Sequence, residues 1–368
     1  MHEKQLRALA TKSFVVMFTV IGFSFCITKY NDSKIYVSAE HLNEQLSAAL
    51  TNEPVDVKQY TNSSTGEIVN EIGDNYIKVS KNSMNDIQIK IKDNYMERKL
   101  IVMIDNLDEK IYDKQAVIFS REEINVDKIS LNYKFNEETL KYCAVFEFTL
   151  DNVYVQTIYE DTEDFYIELK NPHEVYDKVI VVDAGHGGND IGTASNNKRF
   201  VEKDINLNVV LELKKLLDED STYKVYYTRL NDKKVYLKPR LNLANEVDAD
   251  LFLSVHCNGS EYISAKGTEG LYGSPKDTSG SFTSKQFAEI CVEEVSAALK
   301  TRVRGVIKKE DIYIIGNSKV PVSLVELGFM SNNEDMEILS NKDNRTVAAM
   351  ALYRAINRAF EEIDEAKP

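Results

Sequence analysis

The hydrophobic pattern of this chain changes period once, at Asn171-Pro172, and that change constrains the architecture more than any other feature. Upstream, Ile87-Gln88-Ile89-Lys90-Ile91-Lys92 and Tyr142-Cys143-Ala144-Val145-Phe146-Glu147-Phe148 alternate with period two. Residues 100–104, 129–135, 153–158 and 165–169 are further strand candidates, separated by Asn and Asp clusters. Six or seven short strands at this spacing predict an all-β, sandwich-like domain over 66–172. From 176 onward, strands and helices alternate. Apolar runs at 178–183, 225–228, 251–256 and 321–326 read as strands. The apolar residues Ile205, Val209, Leu213 and Leu216/Leu217 recur at helical spacing, and 237–246, 284–300 and 343–363 also read as helices. This alternation predicts an α/β domain over 176–368, a mostly parallel sheet with helices on both faces.

The length, 368 residues, accommodates two domains, and 43% hydrophobic residues suffice for two cores. With 59 acidic against 45 basic side chains the net charge is −14, which argues against nucleic acid or an anionic surface bound through charge alone. The cysteines at 26, 143, 257 and 291 show no CxxC spacing, so they read as thiols rather than a disulfide framework. Lys4, Arg7 and Lys12 precede an uncharged, mostly apolar stretch at 13–28. The reading adopted is a cytoplasmic tip and signal anchor over 1–30, with positive charge inside and the rest of the chain outside the cytoplasm. A cleaved signal or a buried helix are the competing readings. A polar stalk with a short helix at 39–50 would fill 31–65.

Within the α/β region, four polar residues lie at or near the ends of apolar runs. His186 follows the first strand and is flanked by Gly185, Gly187 and Gly188, which permit close backbone approach or positive φ. His256 ends another strand. Glu326 lies in an apolar run, where a carboxylate is expensive to bury without a metal or proton partner. Glu202 starts a helix, where a capping role competes with a functional one. Two imidazoles and one carboxylate leave the fourth position of a zinc ion open, the pattern of a catalytic site, and the remaining glutamate is then available for proton transfer. Two histidines and a carboxylate favour Zn2+ over magnesium or calcium.

These residues sit within seven motifs in order: Asp183-Ala184-Gly185-His186-Gly187-Gly188; Glu202-Lys203-Asp204; Tyr227-Thr228-Arg229; Arg240 with Ala244-Asn245; Ala249-Asp250 through Ser254-Val255-His256-Cys257-Asn258; Gly267-Thr268-Glu269; and Val325-Glu326-Leu327-Gly328-Phe329 with Ser331-Asn332. From residue 178 to 363 the chain resembles the zinc-dependent N-acetylmuramoyl-L-alanine amidases of the amidase-3 type. The resemblance implies His186, Glu202 and His256 as zinc ligands and Glu326 as the catalytic carboxylate. It implies hydrolysis of the amide joining the lactyl group of N-acetylmuramic acid to L-alanine of the peptidoglycan stem peptide. Ala184 stands where the family usually has proline. Cys257 follows the second histidine on the opposite strand face and is no ligand. Some members carry an inserted helix that blocks the metal; residues 258–283 hold only a Gly/Ser-rich link and a strand-like piece at 267–273, so an open site is expected.

Arg229 and Asn332 are further candidates for substrate contact. Arg229 offers a planar fork for a stem-peptide carboxylate, with a salt bridge as its competing role. Asn332 competes with a helix cap near Glu334. Members of the family often carry an AMIN-type wall-binding β-sandwich ahead of the catalytic domain, and the 66–172 region has a compatible size, position and strand pattern. Its eight tyrosines read either as sugar-stacking groups or as core and rim. Two rival functions remain at this point: a zinc peptidase acting within the stem peptide, and a non-catalytic wall-binding or regulatory protein.

Overall fold

The computed structural model describes residues 59–84, 86–120, 129–274 and 282–366. The expected anchor at 13–28 and the short helix at 39–50 lie outside the described residues. Among the described residues no helix is long and apolar enough to cross a membrane.

Among the described residues, ten antiparallel strands precede residue 172: β1 (Tyr60–Asn62), β2 (Ile68–Val69), β3 (Tyr76–Ser80), β4 (Gln88–Asn94), β5 (Lys99–Leu107), β6 (Val117–Phe119), β7 (Ile129–Asn136), β8 (Lys141–Thr149), β9 (Val155–Glu160) and β10 (Asp164–Lys170). They make two sheets, ordered β2-β1-β9-β10-β3-β6 and β4-β5-β8-β7. One core joins them: Ile77, Val79, Ile167 and Leu169 from the first sheet, and Leu100, Val102, Ile104, Ala144, Phe146 and Phe148 from the second. Period-two burial along β5 and β8 is the alternation expected of strands with one face inward. Strand structure starts earlier than the sequence suggested. Thr61, within the expected stalk, pairs with Glu160 because β9 offers it an open edge.

The second half is a six-stranded sheet: β11 (Lys178–Ala184), β12 (Tyr223–Tyr227), β13 (Leu251–Asn258), β14 (Thr268–Tyr272), β15 (Val303–Lys308) and β16 (Val322–Phe329), ordered β12-β11-β13-β16-β14-β15. The first four in that order are parallel; β14 runs antiparallel to β16, and β15 parallel to β14. The helices are α1 (Glu202–Asp218), α2 (Leu237–Glu246), α3 (Ser284–Leu299), α4 (Tyr313–Gly316), α5 (Asn333–Ser340) and α6 (Lys342–Glu365). Both sheet faces are covered, which is why the strands read as continuous apolar runs. Ile180, Val182, Leu253 and Val325 pack under α1, α3 and α6. Val179, Val181, Phe252 and Leu324 pack under α2 and α4, joined by Val153 from the β-sandwich.

Tyr95, in the turn after β4, closes the exposed edge of β12. Its hydroxyl donates to the Tyr227 carbonyl at 2.9 Å and accepts from the Tyr227 amide at 3.0 Å, while its ring meets Tyr226 edge-on. A free sheet edge is thereby covered by the neighbouring sandwich.

Candidate metal centre and active site

The parallel strands deliver their functional groups to one end of the sheet. His186 sits two residues beyond β11, Glu202 opens α1, and His256 lies near the end of β13. Donor atoms of these three residues lie within 4.8 Å of one another. One oxygen of Glu202 is 3.2 Å from His186 Nε2 and 2.8 Å from His256 Nδ1, and the two rings stand at 76° with centroids 5.0 Å apart. The same oxygen accepts from the Cys257 amide, and the other from the Thr193 amide at 2.8 Å. Burial opposes the charge on Glu202, yet hydrogen bonds from both histidines outweigh it and hold the carboxyl far below its usual range.

Glycines make the space. A Cβ on Gly185 would lie 2.2 Å from His256 Cε1, and one on Gly192 would lie 2.4 Å from Glu202 Oε2. His186 adopts φ +62°, a region unfavourable for a residue with a Cβ. Hydrogen bonds to neighbouring carbonyls hold that conformation. Arg240 donates to the carbonyls of Ala184 and His186 at 2.7 Å, and Arg229 donates to those of Ala184 and Gly185 at 2.8 Å. Asp183, fully buried, balances this charge. It pairs with Arg240 and accepts from Thr228 at 2.5 Å and Ser254 at 2.7 Å. Burial pushes against its ionisation, and the Arg240 charge with the two hydroxyls overcomes that, leaving the carboxyl below its ordinary value.

Glu326 pairs in register with His256 on one side and Glu269 on the other. Its Oε2 is buried and, among the described residues, has no hydrogen-bond partner. Burial, and then the nearby Glu202 and Glu269 carboxylates, push its carboxyl well above the usual range. A metal ion suits this donor set: two nitrogens and one oxygen converge, and the unpartnered carboxylate oxygen of Glu326 lies one strand away from His256.

The two expected substrate residues both make hydrogen bonds within the protein. Arg229 is 1% exposed, and its donors also reach the carbonyls of Asn231 at 3.2 Å and Lys203 at 2.8 Å. Backbone carbonyls engage all three of its nitrogens, so it clamps the site loop. Asn332 caps α5, accepting from the amides of Glu334 and Asp335, and donates to the Ile263 carbonyl at 2.7 Å. Cys257 lies in the core beneath the helices. Among the described residues of 258–283 there is no helix.

The sequence reading did not single out Asp190. Its carboxylate lies 2.9 Å from His186 Nδ1, the ring nitrogen facing away from the triad, and that contact fixes ring orientation. His186's own burial disfavours its charge, and Glu202 and Asp190 more than compensate, raising its pKa. The His-x-x-x-Asp spacing was the available signal.

Convergent imidazoles, a carboxylate between them and a second buried carboxylate at one end of an α/β sheet make a donor set that could hold a metal ion. Residues 180–358 match the family model described as N-acetylmuramoyl-L-alanine amidase. The chain is 36% identical over 185 residues to the Bacillus subtilis protein YqiI, covering 50% of this chain and 86% of that one. It is 36% identical over 186 residues to the N-acetylmuramoyl-L-alanine amidase LytC of Bacillus subtilis, covering 50% of this chain and 36% of LytC. It is 32% identical over 188 residues to the N-acetylmuramoyl-L-alanine amidase CwlM of Bacillus licheniformis, covering 49% and 68% respectively. The chain belongs to the N-acetylmuramoyl-L-alanine amidase family. The similarity is confined to about half of it, and the span matched is little more than a third of LytC.

Proposed function

We propose that this protein hydrolyses the amide between the lactyl carbonyl of N-acetylmuramic acid and L-alanine of the stem peptide, with zinc held by His186, Glu202 and His256 and with Glu326 as the proton-transfer group. The observation that carries this reading is the buried, unpartnered Oε2 of Glu326 beside three convergent metal donors. When bound, zinc supplies Lewis acidity and lets water act as a nucleophile near neutral pH. Glu326 Oε2 then accepts a proton from the attacking water. The water oxygen bonds to the lactyl carbonyl carbon, the carbon–nitrogen bond breaks, and Glu326 returns the proton to the departing alanine nitrogen. The products are a free lactyl carboxylate and a peptide with a free amino terminus. Glu202 and His256 stay fixed through the Thr193 and Cys257 amides that hold the carboxylate.

The positive residues ahead of the apolar 13–28 stretch support a signal anchor that holds the enzyme outside the cytoplasmic membrane, facing its wall substrate. The β-sandwich is proposed to hold the wall or a partner. Mass spectrometry of products from purified peptidoglycan tests the chemistry. Peptides beginning at L-alanine, lost on chelation and restored by zinc, are expected. Shortened peptides still joined to sugar would replace this reading with a stem-peptide peptidase. Intact polymer from zinc-loaded protein would replace it with a binding function.

A further inference from the structure

Beyond the three metal donors, the sheet carries a second group at the same end that no part of the proposed chemistry uses. The register runs from His256 on β13 to Glu326 on β16, to Glu269 on β14, to Gly305 on β15. Because β14 is antiparallel to β16, and β15 parallel to β14, the beginnings of β14 and β15 lie at the end of the sheet where β13 and β16 finish. The β14–β15 ladder is irregular at this point. Thr268 pairs with Val303 but Glu269 pairs with Gly305, so Arg304 is an inserted residue, followed by Gly305 at φ +89°. Such bulges redirect a side chain and recur beside active sites.

The redirected side chain is Arg304. Its Nε donates to Glu269 at 2.5 Å, and its guanidinium lies over the Phe329 ring at 4.8 Å. Glu269 is itself held by the Asn258 amide group at 2.6 Å, and Phe329 is buried. Two contacts therefore fix the guanidinium plane, and the Asn258 contact holds Glu269 in place. The side chain remains 31% exposed, and among the described residues its two terminal nitrogens have no hydrogen-bond partner. A guanidinium immobilised through Nε, with its terminal fork open to solvent, is a preorganised bidentate receptor for a carboxylate. Both oxygens of Glu269 are already occupied by Asn258 and Arg304 Nε, so the neighbouring acid orients the fork and leaves its outer edge free.

We infer that Arg304 is a specificity-determining residue that binds a carboxylate on the peptide side of the substrate. The inference rests on the amidase reading for the direction in which the peptide leaves the metal. Two strand spacings separate Glu326 from the Arg304–Gly305 bulge, about 10 Å, which an extended peptide covers in about three residues. The ligand class is thus an acidic peptide whose carboxylate lies about three residues from the scissile amide.

The test uses the full-length protein and an L-alanine-headed tripeptide, either with free side-chain and terminal carboxylates or fully amidated. Binding of each form is measured by calorimetry for wild type, Arg304→Gln and Arg304→Lys, with thermal unfolding recorded for all three. Wild type should prefer the acidic form by tenfold or more. Arg304→Gln should bring the two forms within about twofold, and Arg304→Lys should keep a reduced preference. A wild type without preference, a preserved preference in Arg304→Gln, or equal weakening of both forms overturns the inference. Binding needs no turnover. A protein that prefers the acidic peptide through Arg304 yet releases no L-alanine-headed peptide from peptidoglycan would sink the amidase reading and leave the receptor standing.

Discussion

The guanidinium groups of Arg229 and Arg240 converge on a single acceptor, the carbonyl oxygen of Ala184, at 2.8 and 2.7 Å. Like charges meet there because Asp183, one residue earlier, pairs with Arg240 and offsets the repulsion. The consequence is a rigid connection between β11 and His186. The last strand carbonyl, the turn carbonyl of Gly185 and the carbonyl of His186 itself are all held from outside the turn. Arg229→Met should therefore lower the unfolding free energy by about 3 kcal/mol or more, since several buried carbonyls lose charged donors at once. Urea denaturation checks this. Unchanged stability with a raised KM would instead return Arg229 to the role of a substrate contact.

Asp190 acts on the same histidine from the solvent side. Its side chain is half exposed, so its removal should barely affect folding of the metal-free protein, within about 0.5 kcal/mol. What it fixes is the orientation and tautomer of His186. Asp190→Ala should weaken zinc affinity roughly 10- to 100-fold. Competition against a chromophoric chelator measures it, and an unaltered affinity would reduce Asp190 to a turn residue.

These two cases mark what the sequence reveals and what it conceals. Helix α2 spans the residues its pattern predicts, because apolar periodicity is a local property that the sheet only has to accept. The alternation of β5 and β8 is legible for the same reason. The order of the sandwich strands is not, since the pairing of Thr61 with Glu160 depends on contacts 99 residues apart. Strand β15 went unread because Gly305 and the bulge at Arg304 interrupt its pattern. At the site, His186, Glu202 and His256 stood out because each is a metal-ligand type at a strand or helix end. Arg229 was open to several readings because a guanidinium reads identically in sequence whether it faces a ligand carboxylate or backbone carbonyls. Asp190, among glycines and an asparagine, looks like any turn aspartate until the Gly187–Asp190 bridge folds it back onto His186.

Glu326 separates catalysis from folding. Its carboxyl is raised above the ordinary glutamate value by burial, with Glu202 and Glu269 adding to it, so in the metal-free protein the ionised form is the disfavoured one. For an acid raised in the folded state, stability falls as pH climbs past the unfolded value, about 4.3. Glu326→Gln removes that fall. Its metal-free form should be at least as stable as wild type at neutral pH, while kcat drops by about 10²- to 10⁴-fold with zinc content unchanged. Stability in chelator, zinc content and kcat are three separate readings. Retained activity would remove Glu326 from the mechanism.

Asp93 supplies a pH test away from the metal. It lies on β4 of the sandwich, and Lys224, its charged neighbour, lies on β12 of the α/β sheet. Burial pushes the Asp93 carboxyl up to about 6, against the opposing pull of the Gln156 hydrogen bond and the Lys224 charge. Burial likewise lowers Lys224, which Asp93 partly offsets. Between pH 4 and 6 the unfolded chain has released the Asp93 proton and the folded protein still holds it, so stability contributed here declines across that window. The ordinary and folded values lie about two pH units apart, which bounds the decline near 3 kcal/mol. Asp93→Asn cannot ionise. The stability of wild type relative to Asp93→Asn should therefore decrease from pH 4 to pH 6 and then level off, measured by urea denaturation at each pH. A difference that stays flat across the window would mean that water reaches Asp93 and that the seam between sandwich and sheet is wet at this point.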